Sequence, residues 1–238
     1  SEKFEAAGAP DFGAVIGALH AGKVPPVAYT LAQMADDAAG LLNALGIARA
    51  HIVGVSMGGM IAQLVAADHP DKTLSLTSIM STTANPDLPR ASAEAMAVLN
   101  ERGPDPEDDL DGYLAHAVRG SRTIGSPAWP AEEADLRERT LADYRRSFYP
   151  VGFARQYAAI MASPDRRPRL KTIAAPTVVV HGEADPLVPV EGGRDTARNI
   201  PGAELVVVPG MGHDLPPPLY DTIVEAIERA ANRAKAEV

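Results

Sequence analysis

An α/β domain on a mostly parallel, doubly wound sheet is the fold class this sequence predicts, and three observations predict it. Short apolar runs rich in β-branched residues ("HIVGV", "TVVV", "ELVVV") alternate with segments whose apolar residues recur at helical spacing. The runs are apolar throughout rather than alternating, as strands covered on both faces are. The residues able to carry chemistry stand just past the C-terminal ends of these runs, where open parallel sheets build their sites.

The elements follow in order. Residues 1–29, rich in Gly, Ala and Pro, read as a loop with one short helix. "TLAQMADDAAGLLNALGI" is a helix with Leu31, Met34, Ala35, Ala38, Leu41, Leu42 and Leu45 on one face. Thr30 and Gln33 form a capping-box pattern, and Gly46 is a natural stop. "AHIVGV" is a strand, and the helix after it carries Met57, Ile61, Leu64 and Val65. That helix should stop at His69, because the residue before Pro70 is pushed out of helical geometry. "TLSLTSIM" is the next strand.

From 83 to 168 strand signals vanish, and segments such as "RASAEAMAVLNERG" and "RTLADYRRSFYPVGFARQYAAIMAS" read as helices. This part is expected to be a helical cap inserted into a core made of 1–82 and 169–238. The alternation resumes with "PTVVVHG", a helix near "GGRDTARNI", and "AELVVVPG". A final helix places Tyr220, Ile223, Val224 and Ile227 on one face.

Composition narrows the function. The 238 residues are 46% hydrophobic and 22% charged, which suits a globular core. No apolar run approaches the roughly 18 residues of a membrane span, and no secretory signal is visible. A cytoplasmic location is the expectation. A formal net charge of −9 argues against nucleic acid or an anionic membrane as partner. The stretch "PDRRPRLK" reads as a solvated surface. With no cysteine, disulfides, thiolate metal sites and thiol nucleophiles are excluded. No histidine or carboxylate spacing resembles a metal site.

Gly54-Val55-Ser56-Met57-Gly58 is a G-x-S-x-G sequence between a predicted strand and a predicted helix. In a nucleophile elbow this turn is tight, so the flanking positions must be small. It lifts the hydroxyl above the sheet and aims the next backbone N–H, that of Met57, at the place where an oxyanion forms. A Gly-rich turn of this kind also suits a phosphate, but neither a P-loop lysine nor G-x-G-x-x-G is present. A serine nucleophile needs a base, and the base an orienting acid. Asp185 follows "TVVVHGEA" and His213 follows "ELVVVPGMG", each in a loop past a predicted strand.

On these residues the chain resembles the α/β-hydrolase superfamily, and bacterial ester hydrolases of the methylesterase type most of all. "GVSMGGMIAQ" looks like the family's elbow, "HGEADPLVP" its acid loop and "GMGHDLP" its histidine loop. The resemblance implies Ser56 as nucleophile, His213 as general base and then acid, Asp185 as orienting acid and Met57 as a backbone oxyanion donor. It implies a small-molecule ester as substrate and no cofactor. Enol-lactone opening or perhydrolysis on the same triad is the alternative, as is a non-catalytic binding subunit.

Asp87, after the second strand, stands where some members carry the acid and is kept as its substitute. Glu183 and Asp214 neighbour the acid and the base. His181, His51, His20, His69 and His116 read as structural. Tyr144, Phe148, Tyr149, Phe153, Tyr157, Ile160 and Met161, taken as one cap helix, either line a pocket or pack the cap, with packing expected for most. Trp129 is equally open.

One feature departs from the family. Its sheet has further strands before the elbow, and a loop there donates a second oxyanion N–H. No such loop is found in residues 1–29, and "SEKF" resembles the tail of the family's D-x-R-G-x-G-x-S segment. "HIVGV" would then be a bare apolar edge, which is an aggregation hazard. The expectation is a native N-terminus further upstream, with an upstream fragment or a homo-oligomer partner covering that edge.

Overall fold

A computed structural model of the chain describes residues 5–236. "SEKF" therefore lies outside the described residues. A short 3₁₀ turn at Glu5–Ala7 leads to α1 (Phe12–His20) and α2 (Leu31–Ala44). The capping box forms as expected: Gln33 N–H donates to Thr30 Oγ1 (3.2 Å) while Thr30 N–H donates to Gln33 Oε1 (2.9 Å). β1 (Ala50–Val55), α3 (Met57–Asp68) and β2 (Thr73–Ile79) follow, and α3 stops one residue before His69. Five helices come next: α4 (Ala93–Asn100), α5 (Leu110–Ile124), α6 (Glu133–Arg146), α7 (Pro150–Met161) and α8 (Arg167–Leu170). β3 (Thr177–Gly182), α9 (Glu191–Asn199), β4 (Glu204–Val208) and α10 (Tyr220–Ala236) complete the chain.

The four strands form one parallel sheet in chain order, β1-β2-β3-β4. Successive residues face opposite sides. Leu76 packs with Ala62 and Ala66 of α3, whereas Ile79, Val178 and Val180 pack with Ile223, Ala226 and Ala230 of α10. The sheet is thus wound on both faces, as the sequence predicted. Register pairs Val53 with Thr77 and Val55 with Ile79, which puts both valines on the α10 side. But α10 lies over β2 and β3. Val53 and Val55 accordingly stay 43% and 37% exposed, on a strand that pairs on one side only among the described residues.

Two predicted faces need correcting. Leu41 and Leu45 sit on the periodic face of the α2 segment yet are exposed, because only Leu31, Ala35 and Ala39 of α2 are buried. On α10 the buried line is Ile223, Ala226, Ala230 and Ala234, while Tyr220 and Val224 are exposed. Periodicity finds a stripe, but what it packs against decides how much of it is covered.

The stretch 139–163 is two helices, not one. The residue before Pro150 cannot hold helical geometry, and Tyr149 sits at φ −145°, ψ 71°. The aromatic residues on these helices pack the segment to itself. Tyr113, Tyr144 and Phe148 form a trio with centroids 5.5–6.0 Å apart, and Tyr157 meets Phe153 and, from α1, Phe12. Trp129 packs against the α10-side core.

The larger correction is Arg166, in the middle of "PDRRPRLK". It is 1% exposed rather than solvated. Its Nε donates to Gln63 Oε1 of α3 (3.2 Å), Nη1 to Ser163 Oγ (2.8 Å) and Nη2 to the Thr82 carbonyl (2.5 Å). Its backbone N–H donates to the Thr83 carbonyl at 2.8 Å. Both ends of the five-helix segment are thereby fastened to α3 at one point. Burial lowers the guanidinium pKa to about 10, which leaves it charged at neutral pH. Arg166→Ala strands these buried acceptors, so a loss on the order of 2–4 kcal/mol is expected in urea unfolding. A change below about 0.5 kcal/mol would restore the solvated-surface reading.

Candidate active site

The turn from β1 into α3 places Ser56 at φ 54°, ψ −119°, left-handed backbone on a residue that carries a side chain. Such a conformation costs on the order of 1–3 kcal/mol and persists only where its surroundings enforce it. The enforcement is visible. Ser56 N–H donates to the Ile79 carbonyl of β2 at 2.9 Å, and the Ser56 carbonyl accepts from Gly59 N–H and Met60 N–H at 2.9 and 3.2 Å. A Cβ on Gly54 would lie 2.1 Å from the Gly58 carbonyl oxygen, so the strand and helix meet here through bare backbone. The second crowded position is Gly59, whose Cβ would come within 2.6 Å of Ser81, whereas a Cβ on Gly58 would meet nothing among the described residues. The small flank required after the serine is thus one residue later than the motif suggests. Met57 N–H opens α3 with no carbonyl one turn back within the helix to bind.

His213 and Asp185 arrive from the loops after β4 and β3. Ser56 Oγ lies 2.9 Å from His213 Nε2, and His213 Nδ1 lies 2.7 Å from Asp185 Oδ2. A carboxylate oxygen only accepts, so Nδ1 carries the proton and Nε2 is left to accept from the serine hydroxyl. Asp185 is oriented by its own loop: Oδ1 accepts from Leu187 N–H at 2.9 Å and Val188 N–H at 2.8 Å. The two loops lie directly on each other. Ala184 N–H donates to the Met211 carbonyl at 3.0 Å, and a Cβ on Gly182 would sit 2.2 Å from that same oxygen. All four residues singled out from sequence therefore meet at one end of the sheet.

The substitutes lie elsewhere. Asp87 is exposed, its N–H bound to Asn85 Oδ1, and Glu183 is exposed beside Asp185. His51 bonds Ser75 and His69 bonds Asp36. His116 lies beside Arg119 and Glu101. Asp214 does not touch Ser56; it accepts from Ser126 Oγ.

A cavity of about 700 Å³ opens beside His213. Its walls are the end of α5 with Gly125, Ser126, Pro127, Pro130 and Ala131, one face of α6 (Leu136, Arg139, Thr140, Asp143), and Ala184, Pro186 and Asp214. None of the seven aromatic and aliphatic residues offered from sequence as pocket candidates lines it. The residues that do are mixed: Ile124, Pro127, Pro130, Ala131 and Leu136 stand beside Arg139, Thr140 and Asp143, and sequence alone cannot tell the α6 part from a solvated helix face.

The fold and this geometry agree with what comparison finds. A family model described as the alpha/beta hydrolase fold matches residues 16–216. The chain belongs to that family. It is 26% identical over 218 residues to the rhodomycin D methylesterase DnrP of Streptomyces peucetius, covering 84% of this chain and 72% of that protein. It is 29% identical over 190 residues to the carbamate hydrolase RutD of Stutzerimonas stutzeri, an assignment its name gives as provisional, covering 79% and 68%. Among solved structures, a thermophilic esterase of Thermogutta terrifontis superposes with a TM-score of 0.59 at 27% identity, over 89% of this chain and 75% of that one. The chain is therefore a hydrolase.

His181 is held as the sequence suggested, but it also serves the acid loop. Its Nε2–H donates to the Val188 carbonyl at 2.8 Å, bracing the turn that holds Asp185, and Nδ1 is buried with no partner among the described residues. Burial lowers its pKa below the usual 6.5. The unfolded chain then takes up a proton near that value while the folded chain does not, so stability falls as pH drops below about 6.5. Thermal unfolding from about pH 7.5 to about pH 5 should show the melting temperature of the wild type falling more steeply than that of His181→Gln. Equal slopes would contradict a neutral, buried His181.

Proposed function

We propose that this chain is a serine hydrolase cleaving carboxylic esters through an acyl-enzyme. The observation that carries the reading is the unbroken hydrogen-bonded series from Ser56, on a strained turn, through His213 to Asp185, with a cavity beside His213. Ser56 Oγ attacks the ester carbonyl carbon as its proton passes to His213 Nε2. Asp185 holds the ring in the required tautomer and faces the imidazolium that forms. The carbonyl oxygen becomes an oxyanion beside Met57 N–H and the N-terminal end of α3. Collapse breaks the C–O bond, and His213 returns its proton to the leaving alkoxide. Water, deprotonated by the same imidazole, then releases the acid and restores Ser56.

Ester cleavage is favoured over other acyl transfers by the methylesterase and esterase relatives. RutD keeps carbamates as a second class for the same acyl chemistry. Enol-lactone opening and perhydrolysis would use the same Ser56. The helices between β2 and β3 are read as the cap that shapes the substrate pocket. The partner proposed for β1 is a segment outside these 238 residues, or a second copy, paired along its open edge. It would cover Val53 and Val55 and bring the second oxyanion donor.

The test is intact mass before and after a fluorophosphonate probe, with Ser56→Ala alongside. One adduct on the wild type and none on the variant is the expected result. Removal of a single oxyanion donor costs about 10²–10³ in rate, so slow labelling of the chain alone that speeds up with its partner fits the same account. A wild type that is never labelled would leave a binding module.

A further inference from the structure

We propose that Ser126 is a positioning residue for His213, acting through a strap that ties the helical segment to the histidine loop; this rests on the reading of His213 as the base. The strap is residues 124–128, where α5 ends. It is joined to residues 210–214 along its length. His213 N–H donates to the Ile124 carbonyl at 2.7 Å, Gly212 N–H to Ser126 Oγ at 2.9 Å and Ala128 N–H to the Gly210 carbonyl at 3.3 Å. Ser126 Oγ–H in turn donates to Asp214 Oδ1. One hydroxyl therefore holds both residues that flank His213 in the chain.

The contact is also sterically close. A Cβ on Gly212 would lie 2.3 Å from the Gly125 carbonyl oxygen, and one on Gly210 would lie 2.6 Å from Ala128 Cβ. Ser126 is 3% exposed, so water does not replace its bonds. On its other side the histidine loop is fixed by the Met211 carbonyl, which accepts from Ala184 N–H beside Asp185. His213 thus rides on a loop clamped between the acid loop and the strap, and no bond from Ser126 reaches the imidazole itself.

The arrangement has a reason in the site's architecture. Ile124, Gly125, Ser126 and Pro127 also wall the cavity beside His213. A substrate group filling that cavity rests on the same segment that sets the height of the imidazole above Ser56.

The experiment is inactivation by a fluorophosphonate, resolved into binding (KI) and chemistry (kinact), with kcat and KM for p-nitrophenyl acetate measured in parallel. A small displacement of a catalytic group is costly, so Ser126→Ala should lower kinact and kcat by about tenfold, with KI and KM within about twofold. Asp214→Asn keeps an acceptor for the Ser126 hydroxyl, so its kinact should stay well above that of Asp214→Ala. The Ser126→Ala/Asp214→Ala pair should then lose little beyond either single change. A Ser126→Ala protein with lower melting temperature but unchanged kinact would overturn the proposal and leave the residue merely structural. A wild type that is not labelled at all would overturn the triad reading itself.

Discussion

The turn at Ser56 is the constraint on which the rest of the structure depends. A residue with a Cβ is held in left-handed backbone, and nothing local favours that. What holds it is convergence: a strand hydrogen bond to β2, the helical carbonyl bonds of α3, and a bare-backbone contact between Gly54 and Gly58. These hold the hydroxyl at the C-terminal end of the sheet, where the proposed acyl chemistry would tolerate little displacement. The parallel order of the strands then matters, because it delivers the loops after β3 and β4 to that same end.

Around this fixed point the other two side chains are braced twice over. The acid is held by two backbone N–H groups, and its loop is braced by a buried neutral histidine. The histidine loop is held by the acid loop on one side and by the end of α5 on the other. The helices between β2 and β3 are no loose appendage. Arg166 pins their roots to α3, and the strap pins their middle to the loop bearing His213. The segment proposed to shape the substrate pocket and the loop bearing His213 are therefore joined directly.

Much of this was legible in the chain, and the reasons differ by element. β3 and β4 are short, rich in valine and bounded by Gly or Pro, so each betrays itself locally. Ser56, Asp185 and His213 stand out because a strand end fixes where a loop residue goes before any tertiary contact is known. Arg166 was misread, because burial of a cation depends on partners about 80 and 100 residues away, Thr82 and Gln63, and no window of sequence contains them. Ser126 carries no signal in the sequence, since a serine after a helix looks like any other loop residue. The exposure of Leu41, Leu45 and Val224 has the same origin: apolar spacing marks a stripe but not its cover.

Covalent chemistry at Ser56 can be trapped directly. The protein would be mixed rapidly with p-nitrophenyl acetate, quenched in acid and mapped by peptide mass. A burst of p-nitrophenol with an acetyl group on the peptide carrying Ser56 is expected, both lost in Ser56→Ala. Steady release of p-nitrophenol with an unmodified Ser56, surviving in Ser56→Ala, would contradict covalent chemistry there.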